Sequence, residues 1–129
     1  PSRLYGAKVE GQPHTPWRLI EHIRIVQWDI LEFVRDPKHQ SPIWPEGYWP
    51  KEDSPKDASA WDRSIRSYRK DLKDLQDLVA DHAQDLLAPL PHGQGQTLAR
   101  EAMLAADHTG YHLGQLVLLR RALGAWKGD

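Results

Sequence analysis

Two histidines stand four residues apart in the run His108-Thr109-Gly110-Tyr111-His112. In a helix, one turn of rise brings the two imidazoles side by side, where both can reach one divalent ion. The 129 residues contain seven His and no Cys, so any metal must be held by imidazole, carboxylate or water. The spacing alone is a weak signal: seven His in 129 residues give roughly 0.4 such pairs by chance. Its surroundings add to it. His112 falls in an apolar stripe, where an unpaired imidazole is costly to bury. Gly110 and Gly114, each costing ~1 kcal/mol against Ala inside a helix, predict close approach of another helix or of a ligand. Ala102, Ala105 and Ala106 also leave room, and Gln115 and Glu101 fall on the same side. Two helix histidines satisfied by neighbouring carboxylates or water would account for the same pattern.

A third ligand must come from elsewhere in the chain. His22 lies between Leu19 and Val26 on the inner face of an earlier helix, among apolar neighbours, and needs a partner across the bundle. A hydrogen bond to a carboxylate or tyrosine would meet that need, as would a metal. His82 is its rival, although Asp81 and Asp85 beside it predict a half-exposed side chain. His14, His39 and His92 lie in loops and read as bystanders, unless one lies near enough to serve as an acid or base. Glu101, Asp29 and Glu21 are the carboxylates placed to orient a ligand or take a proton; Asp29 is seven residues from His22 on one helix face. Other chemistries find no support. Gly93-Gln94-Gly95 lacks the Lys and strand context of a phosphate loop, and no serine sits in a nucleophile elbow.

Three long helical patterns must position these residues. Thr15 reads as the N-cap of the first, with Pro16 at its first position and Asp36-Pro37 at its end. Leu19, His22, Val26, Ile30 and Phe33 form its stripe. The second runs from about Asp57 to Leu87. Its seam of Trp61, Ile65, Tyr68, Leu72, Leu75, Val79, His82 and Leu86 suits shallow bundle packing. Thr97 caps the third, whose stripe runs through Leu98, Ala102, Ala105, Thr109, His112, Leu116, Leu119 and Leu123. Residues 1–13 read as an extended lead-in. Residues 37–55 hold five prolines among Trp44, Tyr48 and Trp49. The prolines rule out a helix and the aromatics argue against disorder, so a structured loop laid over the bundle is expected. Trp17, Trp61 and Trp126 read as helix packing.

Composition bounds the rest. The length is that of one domain, all-α over residues 1–129. Lys plus Arg is 17 against 18 Asp plus Glu, a formal net charge of −1. The charges are interspersed, which argues against nucleic acid. No apolar run approaches the ~20 residues of a membrane span. A soluble cytoplasmic protein is the expectation.

The run His-Thr-Gly-Tyr-His-Leu-Gly-Gln at 108–115 resembles the last-helix signature of the DinB/YfiT-like superfamily. Pro13-His14-Thr15-Pro16-Trp17 through Glu21-His22-Ile23 is similar to its earlier metal helix, and Ser41-Pro42 through Tyr48-Trp49-Pro50 to the loop of one bacterial branch. The resemblance implies an up-down four-helix bundle with a three-His site for zinc, nickel or a similar ion, its ligands His22, His108 and His112. It implies metal-dependent transfer to a low-molecular-weight thiol, as in bacillithiol S-transferases and mycothiol-dependent maleylpyruvate isomerase, or hydrolysis of a small-molecule substrate. A non-catalytic metal- or ligand-binding, stress-related module is the alternative. The family's bundle begins with a helix ahead of the one bearing His22, which residues 1–11 do not supply. The expectation is that an N-terminal segment precedes this chain or that another subunit, as in a homodimer, covers the gap.

Overall fold

The computed structural model describes residues 1–126. Among them the chain forms three long helices and no strand: α1 (Pro16–Arg35), α2 (Ala60–Ala80) and α3 (Leu98–Ala122), with short 3-10 turns at Ser2–Leu4 and Glu46–Tyr48. The expected N-caps form. Thr15 Oγ1 accepts from Arg18 N and Thr97 Oγ1 from Arg100 N, each at 3.2 Å. Gly124, at φ 65°, closes α3 with Ala125 N bonded to Arg120 O and Gly124 N to Arg121 O, the paired bonds of a Schellman turn.

α1 is the central element. It packs along both α2 and α3, which barely meet each other. The long connection after Arg35 lets α2 run in the same sense as α1: Ser64 lies beside Glu21 and Asp74 beside Arg35. α3 returns against both, so that Leu116 and Leu119 pack on Leu19 while Leu98 and Ala105 join Ile30, Leu31 and Leu75. These are two separate core clusters. His22 and His112 fall between them along their helices, at the point where α1 and α3 face each other.

Four expectations are corrected. α2 spans Ala60–Ala80 rather than 57–87. Beyond it the Asp81 carboxylate accepts from Ala83 N, and Asp85 from Leu87 N and Ala88 N. These local turns compete with the helical ladder and win. His82 is consequently exposed, outside any helix. Trp126 also lies beyond its helix, with the Arg120 and Arg121 guanidiniums 5.1 and 5.3 Å from its ring. Third, the residues of α2 buried against the bundle are Ala60, Ser64, Asp71 and Leu75. Four others of the expected seam (Ile65, Tyr68, Leu72 and Val79) line an open apolar groove whose other wall is Ala102, Ala105, Ala106, Thr109 and Leu113 of α3, while Trp61 stacks on Tyr5. Fourth, Gly110 and Gly114 face outward, and a Cβ at either would meet nothing within 4 Å. Neither marks a close approach.

Candidate metal centre

The site is built by two helices and the loop between α1 and α2. His22 points inward from α1 and is 2 % exposed. His108 and His112, one turn apart on α3, meet it across the helix interface, with ring centroids 4.8 and 4.5 Å from that of His22. Nε2 of His22 lies 3.0 Å from Nε2 of His108 and 3.1 Å from Nε2 of His112. The ligand atoms of all three lie within 4.8 Å of one another, the arrangement of residues that could hold a metal ion.

The outer nitrogens decide what the inner ones can do. His22 Nδ1 donates to the Tyr48 carbonyl at 2.8 Å, and His112 Nδ1 to Gln115 Oε1 at 2.8 Å. A neutral imidazole has one N–H, so both Nε2 atoms are then bare lone pairs. Two lone pairs at 3.1 Å repel, and a cation between them turns that repulsion into coordination. Three corners of a tetrahedron with ~2.1 Å bonds lie about 3.4 Å apart, near the 3.0 and 3.1 Å from His22 Nε2 to the other two, within a set that spans 4.8 Å. The residues fit a divalent ion, and the hydrogen bonds on the far nitrogens are those that fix ring orientation in metal centres.

Charge supports the same arrangement. Burial first, and then the neighbouring histidines, push His22 and His108 down to about 4. Both are therefore neutral near pH 7, the state a metal ligand requires.

The loop over residues 37–55 completes the site. Trp49 lies flat on His22, ring centroids 3.8 Å apart and 3° from parallel. His14 stacks on the other face of Trp49 at 3.9 Å. The loop is tied down at both ends: His39 Nε2 donates to Asp29 Oδ1 at 2.7 Å, and Thr15 Oγ1 donates to the Asp53 carbonyl at 2.7 Å. Tyr48 Oη donates to Asp29 Oδ2 at 2.6 Å. Burial, then the Asp29 carboxylate, pushes the Tyr48 hydroxyl up to about 12, so it remains a donor.

The remaining candidates divide. His92 is spent on the Phe33 carbonyl at 2.6 Å. His14 is the loop histidine closest to the centre, and its buried Nδ1 has no partner among the described residues. Of the three carboxylates, Asp29 uses both oxygens on His39 and Tyr48, Glu21 pairs with Arg24 and Glu101 with Arg100. Trp44 is 71 % exposed and does not wall the site. Two contributors escaped sequence reasoning. The stack of Trp49 on His22 was foreshadowed only by the aromatic content of the loop. The Tyr48 carbonyl is backbone and leaves no mark in residue types.

Fold and site together make this an all-helical protein in which two helices bring three histidines within reach of one ion. The chain belongs to the DinB superfamily, whose family model matches residues 2–116. No curated protein and no solved structure matches it.

Proposed function

We propose that this protein binds a divalent ion, zinc or nickel, through His22, His108 and His112, and uses it in transfer to a low-molecular-weight thiol or in hydrolysis of a small-molecule substrate. The observation that carries the reading is the meeting of the His108 and His112 Nε2 atoms on that of His22, with His22 and His112 each held from Nδ1. Held by three imidazoles, such an ion would supply Lewis-acid activation of a thiol or a water as nucleophile. His14, beside Trp49 with an unspent ring nitrogen, is the group this reading assigns to proton transfer. A cytoplasmic homodimer completes the reading. Its support is the apolar α2–α3 groove, and no described helix is long and apolar enough to cross a membrane.

A binding role without turnover is the second reading. It is favoured by the pairing of Asp29, Glu21 and Glu101, which leaves none of these carboxylates free as a base. Elemental analysis of the purified protein and of His112→Ala tests the metal. Stoichiometric metal in the parent and its loss in the variant is expected; full retention in the variant sinks the assignment. Turnover with bacillithiol, mycothiol or glutathione and a panel of electrophiles, abolished by a chelator, separates the enzyme from the binding module.

A further inference from the structure

Asp29 lies seven residues beyond His22 on α1, about 10 Å up the helix axis at ~1.5 Å per residue. It cannot touch the histidine. Tyr48 bridges that distance. Its hydroxyl donates to Asp29 Oδ2 at 2.6 Å while its carbonyl accepts from His22 Nδ1 at 2.8 Å. One loop residue is therefore pinned at both ends to the same face of α1, two turns apart. The other oxygen of Asp29 accepts from His39, which fixes the start of the loop. Asp29 and His39 are almost wholly enclosed, with side chains 12 % and 9 % exposed. A buried carboxylate with both oxygens committed to donors is a rigid anchor, and losing either donor leaves an acceptor unsatisfied.

We infer that Asp29 is a positioning residue for the metal centre, acting through Tyr48 to hold His22 with Nδ1 protonated and Nε2 directed at His108 and His112. The inference rests on the metal-binding reading above and goes beyond it by assigning the loop and its anchor a function. Trp49, the next residue, gains its stack on His22 from the same anchoring. The strut sets both the tautomer and the ring plane of one ligand, leaving the α3 pair to Gln115 and the helix itself.

The test compares the full chain with Asp29→Asn, Tyr48→Phe and Leu75→Val, the last trimming the core on α2 away from the loop. Zinc affinity is measured by competition with a chromophoric chelator, and coordination geometry from the visible bands of the cobalt-loaded protein. Asp29→Asn and Tyr48→Phe are expected to lower zinc affinity by about 10–100-fold and to shift the cobalt bands, while Leu75→Val changes neither. Unchanged affinity and bands in folded Asp29→Asn and Tyr48→Phe overturn the inference, as does an equal loss in Leu75→Val. Nitrogen-15 spectra of the zinc-loaded parent supply a check that needs no variant: His22 protonated at Nδ1 is expected, and zinc at Nδ1 overturns the inference. A parent chain that takes up no zinc removes the metal-binding reading itself, and this inference with it. Normal uptake with indifferent variants removes only the strut.

Discussion

Nε2 of His22 and Nε2 of His112 lie 3.1 Å apart although ninety residues separate them in the chain. Each ring is also held from its other nitrogen, His22 by the Tyr48 carbonyl and His112 by Gln115 Oε1. Protonation of this cluster is therefore opposed by burial and by the neighbouring rings. An unfolded histidine titrates near 6.5, whereas His22 and His108 are held down to about 4 when folded. Between these values the unfolded chain binds more protons than the folded one, and stability rises with pH. The metal-free protein is expected to keep its full stability above about pH 6.5 and to lose it progressively down to about 4. Urea unfolding at pH 7.5, 6 and 5 measures this. An unchanged midpoint across that range would falsify it, and His22→Gln should flatten the dependence.

Metal should stabilise the fold, because the ligands come from two different helices. At free zinc one hundred times the dissociation constant, the gain is about 2.7 kcal/mol. Thermal unfolding with and without zinc should show a rise of several degrees in the parent that a chelator reverses. The increment should vanish in His22→Ala. An equal increment there would place the ion elsewhere.

Gly110 sits inside α3 with open space where a Cβ would go. Gly110→Ala removes backbone freedom from the unfolded chain without introducing a clash. It should raise stability by about 0.5–1 kcal/mol and leave zinc affinity untouched. A loss of stability would show that the outer face of α3 is covered in solution.

Gln27 is 2 % exposed, and neither its Oε1 nor its Nε2 has a hydrogen-bond partner among the described residues. Burying an unsatisfied amide costs more than burying a thioether of similar shape. Gln27→Met should stabilise the metal-free protein by about 1 kcal/mol, a few degrees in Tm. A clear fall in Tm would mean that the amide is satisfied in solution.

The helices and the histidine-bearing face were legible because their signals are periodic and local. Thr15 with Pro16 and Thr97 marked the starts of α1 and α3, and the stripe through His112 placed it inward. The Asx turns at Asp81 and Asp85 defeated the reading of α2, because a short carboxylate capturing its own backbone leaves the apolar spacing unbroken. The glycines misled for a related reason: their cost to a helix is visible in sequence, but which way they face is not. The convergence of His22 with the α3 pair was supplied by family resemblance, since no local pattern encodes a contact across 86 residues. The grip of the loop on His22 was out of reach because it is made by a carbonyl and a ring plane.

The strut from Asp29 through Tyr48 to His22 also bears on the order in which the chain comes together. His22 meets the Tyr48 carbonyl across 26 residues, but meets His108 and His112 only across 86 and 90. The entropy lost in closing a loop grows with its length, so the nearer contact closes at lower cost. Everything needed to aim His22 lies within the first half of the chain, α1 and the loop that follows. The contacts that aim His22 can thus close without α3, whereas its meeting with His108 and His112 cannot.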